Sequence, residues 1–476
     1  MDTSSGGLYH DIEDDRSRTP PQSFNTISTT SSLAKRLDRY FEITARGSTI
    51  STELRAGIIL YASMCYIIVV NPDILSAAGL EKGHTATATT FSGMVCTLLF
   101  SLYANLPFGS APGMGLNTLF AYELVRQNDL TPEQALGCSL AAGLVFLFLA
   151  LTGLSSVIVN NIPLTMKKAV VVGIGFFQTI IGLYSMGIIA HGRFTILEMG
   201  DLSSASQWMA IFTLVMIALL LLLEVPGSIL VGIIVSMALS LMLKLSPVPK
   251  EIFSLPQFGS TRFDFSILKT QTGALMTLFL FLVLFIDTGG VMIGLAAQGE
   301  SLLDRHGNVV NASKGYVSLG IGVLVSSYFG TSPMVIFLES AAAINQGGRT
   351  GLTSLVSAAL LGLSAFFVPL IRYVPTSATS PILVLVGSFM MGAVMAIPWD
   401  KINHSLPAYI TIAMITFTCS ISHGLLAGLL FYFVLNVPFV IARVSHQDHM
   451  TILLWLEISI VVHHPSRFSL QDGDGL

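Results

Sequence analysis

The sequence predicts an all-α polytopic membrane protein of about 14 spans, built as a 7+7 inverted repeat. Three observations carry this. Only 11% of the 476 residues are charged and 53% are apolar, against roughly 25% charged in soluble domains, and mean hydropathy is +0.75. A soluble body could not be covered with so few charges. Long stretches such as Gly83–Tyr122, Gln134–Met166 and Ile402–Ala442 carry no Asp, Glu, Lys or Arg. Finally, Phe108-Gly109-Ser110-Ala111-Pro112 returns as Phe329-Gly330-Thr331-Ser332-Pro333, 221 positions later. Net charge is −4 and pI about 6.2, so nothing points to nucleic acid as a partner. Cys65, Cys96, Cys138 and Cys419 share no metal-ligand spacing and sit in apolar stretches, where cysteine packs as a small hydrophobe.

Taken in order, residues 1–53 are polar and lack the apolar stretch of a signal peptide, which predicts a disordered cytoplasmic N-terminal tail. A helical span needs about 20 apolar residues, so the longest uncharged runs must each hold two, divided at Pro, Gly, Asn and isolated charges. The first seven-span repeat, 54–247, reads as spans near 54–75, 86–106, 115–126, 133–155, 168–190, 207–223 and 226–246. An extracellular connection, 248–272, follows. The second repeat, 273–445, reads as spans near 273–298, 313–328, 334–346, 351–372, 381–397, 407–421 and 424–443. Residues 446–476 form a cytoplasmic C-terminal tail, in which the apolar Met450–Val462 is too short to cross and suits the interface. With both termini inside, twelve Lys and Arg, among them Lys167, Lys168, Arg349 and Lys401, lie on the inner side against eight outside.

Spans 3 and 10 are too short to cross alone, and each is opened by one copy of the repeated motif. Seven spans is an odd number, so the second repeat enters the membrane upside down. Paired interrupted spans in an inverted repeat point to a transporter's midplane site. The Pro- and Gly-containing segments before them are expected to be extended, to line a cavity, and to feed half-helices whose N–H groups face it.

Three residues there carry chemistry. Asp287 lies mid-span in FLFLVLFIDTGGVMIG, beside Gly289 and Gly290; Glu339 follows Pro333 by six residues and Asn117 follows Pro112 by five. Intramembrane carboxyls are costly and mark function by default, although each also has a packing reading, and Asn117 one as interhelical glue. Two carboxyls and a carboxamide around a small apolar pocket suit a flat, neutral, N–H-rich solute better than an anion. No G-x-x-x-x-G-K-[ST] occurs, which argues against ATP-driven pumping. No intramembrane metal cluster or Ser–His arrangement stands out, so an enzyme is not expected.

The segments TELRAGIILYASMCYIIVVNPDIL (52–75), SAPGMGLNTLFAYELV (110–125), IDTGG (286–290) and GTSPMVIFLESAAAINQGGRTGLTSLVSA (330–358) resemble the AzgA-like purine permeases, the adenine, guanine and hypoxanthine branch related to nucleobase–ascorbate transporters. The resemblance covers roughly residues 50–445. It implies a proton-coupled importer of purine nucleobases at the plasma membrane, with a core domain (spans 1–4 and 8–11) moving against a gate domain (spans 5–7 and 12–14). It implies that Asp287 and Glu339 contact the base and are tied to proton coupling, and that Asn117 matches the family's Asn. An apolar setting favours the neutral form of a carboxyl, which would let it carry a proton near neutral pH. Phe337 is expected to stack on the ring, with Thr331 and Ser332 offering further hydrogen bonds. No cofactor is expected beyond the proton as coupling ion. The partners expected are a purine, protons and the lipid bilayer, with a homodimer the assembly considered. One departure is Gly289, where members usually carry a second Thr after Asp-Thr. The alternatives are an anion exchanger of the same 7+7 plan, or a carrier of another nucleobase such as uracil or xanthine.

Overall fold

In lipid a chain must satisfy its own backbone hydrogen bonds, so apolar runs of this length become helices. The computed structural model of the chain describes residues 32–154, 163–192, 197–248, 251–259, 261–304, 308–371 and 373–445. The 446–476 tail, with Met450–Val462, lies outside the described residues.

The first half comprises α1 (Ser32–Phe41), α2 (Ile50–Met64), α3 (Ile67–Ser76), α4 (Lys82–Leu99), β1 (Ser110–Pro112), α5 (Met114–Thr118), α6 (Pro132–Thr152), α7 (Leu164–Ser185), β2 (Ile189–His191), β3 (Leu197–Met199), α8 (Ala205–Leu222) and α9 (Ser228–Met242). The second comprises α10 (Gln271–Ala296), α11 (Ala312–Phe329), β4 (Met334–Ile336), α12 (Ser340–Asn345), α13 (Gly351–Ser364), α14 (Val368–Ile371), α15 (Thr376–Met390), α16 (Ile402–Thr418) and α17 (Ile421–Ser445). A helical element falls in each of the fourteen stretches read from the sequence. Among the described residues, eight helices are long and apolar enough to cross a membrane, α2 and α3 counting together as Ile50–Ser76. α5 is continued by a π-helical turn, Leu119–Gln127.

The tail expectation needs correction over its last third. Ser32–Phe41 is helical, and Phe41 and Ile43 bury against Leu352, with Leu37, Ile50 and Leu355 packed around them. Leu37 and Phe41 lie one helical turn apart, a spacing masked by the charged residues around them, Lys35, Arg36, Asp38 and Arg39. Glu53 is also buried. It accepts the Arg349 and Thr350 N–H groups at 2.9 and 3.3 Å and the Thr353 hydroxyl at 2.6 Å, capping α13. The first repeat therefore begins before residue 54.

The helices pack in two groups. α2, α3, α4, α6, α10, α11 and α13 pack on one another around β1 and β4; α7, α8, α9, α15, α16 and α17 form the other set. Glycines allow the closest approaches in the second set: a Cβ at Gly175 would stand 2.8 Å from the Gly387 carbonyl, and one at Gly182 3.0 Å from that of Ser380. The two groups meet chiefly where α3 touches α15, α5 touches α7 and α9 touches α2.

Candidate functional site

The chain pairs as strands where the two motif copies meet, at the end of the first and just after the second. β1 and β4 pair antiparallel, with Ala111 opposite Val335, extended by Gly113 N–H to Pro333 O (3.2 Å) and Phe337 N–H to Gly109 O (2.9 Å). The strands sit back to back, so each gives the other the backbone partners that lipid cannot. Symmetry about the Ala111–Val335 pair relates positions 224 apart, whereas the prolines of the motifs are 221 apart. Pro112 closes β1 but Pro333 precedes β4. The structural counterpart of Glu339 is consequently Gly115, not Asn117.

A cavity of about 660 Å³ lies beside this crossing, within the usual range for a small-molecule site. The first helix group contributes Tyr66, Gly113, Met114, Gly115, Asp287, Phe337 and Glu339. The second contributes Gln178 of α7, Val386 and Met390 of α15, and Glu224–Ile229 of the α8–α9 turn. The Tyr66 hydroxyl donates to Glu339 Oε1 at 2.5 Å, leaving Oε2 for another donor. The Tyr66 and Phe337 rings lie 6.2 Å apart. Asp287 faces the cavity with protein behind it, and no hydrogen bond reaches its carboxyl among the described residues. Gly290, three residues on, faces open space.

The six residues singled out from sequence divide. Asp287, Glu339 and Phe337 line the cavity. Asn117, Thr331 and Ser332 are fully buried in a polar lattice behind it. There Ser332 Oγ donates to Asn117 Oδ1 at 2.5 Å, and Asn71 Nδ2 donates to Thr331 and Thr89 at 2.8 and 2.7 Å. This lattice ties α3, α4 and α5 to the 330–333 turn. Tyr66 and Gln178 escaped sequence reading, because a neutral polar side chain in a span carries no signal comparable to a carboxylate.

The cavity is one-sided. Its lining runs to Asn345, Gln346 and the α8–α9 turn, on the face where α2 begins, since Ser48 Oγ donates to Gly347 O at 3.0 Å. At the opposite face the groups are latched. Asp73 pairs with Lys82 and accepts the Thr379 hydroxyl of α15 at 2.6 Å. Buried Glu123 accepts Ser420 Oγ (2.7 Å) and the N–H groups of Ile421 (2.8 Å) and Ser422 (3.1 Å), capping α17. Gln127 Nε2 donates to the Thr418 and Cys419 carbonyls at 3.1 and 3.0 Å.

The sequence profile of the Xan_ur_permease family, described as a permease family, matches residues 51–426. A putative permease, MJ0326, of Methanocaldococcus jannaschii is 38% identical over 408 residues, 85% of this chain and 93% of that protein. A guanine/hypoxanthine permease, PbuO, of Bacillus subtilis is 34% identical over 82% of this chain and 93% of its own length. Among solved structures, the transmembrane domain of a cyanobacterium bicarbonate transporter, BicA, superposes with a TM-score of 0.61 at 18% identity, covering 79% of this chain and 97% of that one. That likeness is one of fold alone.

Proposed function

The chain belongs to this permease family and is a membrane transporter rather than an enzyme, and on that premise we propose that it imports purine nucleobases by proton symport with alternating access. The observation that carries the reading is the convergence of Asp287 and Glu339 from different elements on one cavity, with Glu339 held on one oxygen by Tyr66. The free Glu339 oxygen suits a ring N–H of hypoxanthine, guanine or adenine, and Phe337 offers a flat apolar face. A carboxyl that the protein leaves without a donor is costly as an anion, so Asp287 is the group assigned to carry the proton. Two negative side chains suit an anion poorly, which disfavours the exchanger reading. The relative named a guanine/hypoxanthine permease supports a purine over a pyrimidine. The two packing groups are the bodies that would move as core and gate, and the cavity as it stands opens toward the face where α2 begins. Radiolabelled hypoxanthine uptake in cells or proteoliposomes tests the proposal. Uptake should rise with external acidity and collapse with a proton uncoupler; accumulation against a gradient that survives uncoupling would falsify it.

A further inference from the structure

Gln178 stands out among the cavity-lining residues. It is fully buried on α7, and neither its side-chain nitrogen nor its oxygen has a hydrogen-bond partner among the described residues. Leaving a buried carboxamide unpaired costs the desolvation of two polar groups, so such a residue calls for an explanation. Packing is not one, because an apolar side chain would fill the same space without that cost.

Its position supplies the explanation. On α7, Gly175 and Gly182 form the stripe packed against α15, with the Gly387 carbonyl and Val384 as neighbours. Gln178, three residues after Gly175 and four before Gly182, lies at the edge of this stripe and one turn after Ile174, which packs on Gly115 at the start of α5. Gly115 is the symmetry counterpart of Glu339 about the strand pair. The amide therefore comes from the second helix group toward the cavity wall related by symmetry to the carboxylate, while Glu339 and Asp287 come from the first.

We propose that Gln178 is a specificity-determining residue that binds the substrate edge remote from the carboxyls, deepening the purine reading and resting on it. A carboxamide offers one donor and one acceptor side by side. It pairs in bidentate fashion with an edge presenting an acceptor next to a donor, as the six-membered ring of a purine does at its O6/N1–H or N1/N6–H₂ positions. Glu339 Oε2, an acceptor only, takes an imidazole N–H. The base thereby bridges the two helix groups, and binding it couples to their approach.

The test uses the full chain in a host lacking purine uptake, with radiolabelled hypoxanthine and unlabelled competitors. For the unaltered protein, 1-methylhypoxanthine should compete about 10- to 100-fold more weakly than hypoxanthine, the worth of one bidentate pair. Gln178→Met, which keeps the side-chain length, should weaken hypoxanthine by a similar factor and bring the two competitors level. Gln178→Glu, which keeps the acceptor and loses the donor, should fall between. A role confined to packing would weaken both competitors alike and leave their ratio unchanged, and that result overturns the inference. Equal competition by the two compounds on the unaltered protein overturns it as well, whether or not the variants fold. If neither hypoxanthine, guanine nor adenine competes at all, the purine reading itself fails and takes the inference with it.

Discussion

The two carboxyls differ in what the protein gives them. Glu339 is supported by the Tyr66 hydroxyl, whereas Asp287 receives no hydrogen bond among the described residues. This divides their expected roles: Glu339 to hold the substrate, Asp287 to carry the proton. A charge-assisted hydrogen bond is worth about 1.5–3 kcal/mol, roughly 10- to 150-fold in affinity. Glu339→Gln should weaken purine binding by that factor while residual transport stays pH-dependent. Asp287→Asn should retain measurable binding but lose accumulation and its pH dependence. Binding and uptake across pH 5 to 8, normalised to surface expression, separate the two, and the opposite pattern reverses the assignment. Tyr66→Phe removes only the donor to Glu339 and should weaken binding without abolishing coupling. Both carboxyls were legible in the sequence because a charge at membrane depth is costly and hence conspicuous. Tyr66 and Gln178 were not, since nothing in a linear pattern tells a tyrosine or glutamine that faces a cavity from one that faces a neighbouring helix. Asn117 was legible as a polar residue near the crossing, but its depth behind the cavity wall depends on the strand register.

That register shows where legibility ends for elements. The repeated Phe-Gly-x-x-Pro motif announced two broken spans, yet matching proline to proline misplaces the second half-helix by three residues, because the strands pair about Ala111 and Val335. Gly113 belongs to this pairing. Its φ of −75° suits any residue, but an added Cβ would stand 2.7 Å from Val335 Cγ1, so crowding alone selects glycine. Gly113→Ala should cost about 1–3 kcal/mol by overpacking, read as a lowered melting temperature in detergent. Val335→Ala added to it should recover part of the loss through a non-additive cycle; strict additivity would mean the two residues do not meet. The connection between the halves offers a test of a different kind. The Ser266 hydroxyl and N–H, with the Gln134 amide, hold the Asp264 carboxyl below its ordinary range. A carboxyl lowered in this way contributes docking that is complete above the ordinary aspartate value and is lost as pH falls through the lowered one. Hydrogen exchange over 261–270, corrected for intrinsic rates, should stay protected until pH drops below the ordinary range, and Asp264→Asn should remove that dependence. Protection lost already near neutral pH would contradict the docking.

At the scale of the molecule, the cavity open at one face and the latches closed at the other are what the proposed alternating-access cycle requires of one end-state. Gln127, at the end of the π-helical turn after α5, holds the Thr418 and Cys419 carbonyls between α16 and α17, so it joins the two helix groups at the closed face. Cys419 is the least buried of the four cysteines, the other three being buried. Gln127→Cys therefore places a second accessible thiol beside a native one with a single substitution. If import requires the groups to part at this face, a short bifunctional thiol reagent joining positions 127 and 419 should abolish purine uptake, and a reducible version should release it on reduction. The same treatment should leave the cavity reachable from the α2 face, so that Asn345→Cys, made with the pair already joined, still reacts with a small maleimide and is still shielded by bound purine. Full uptake by the joined protein would mean that the latch at Gln127 does not open during transport and that the moving boundary lies elsewhere.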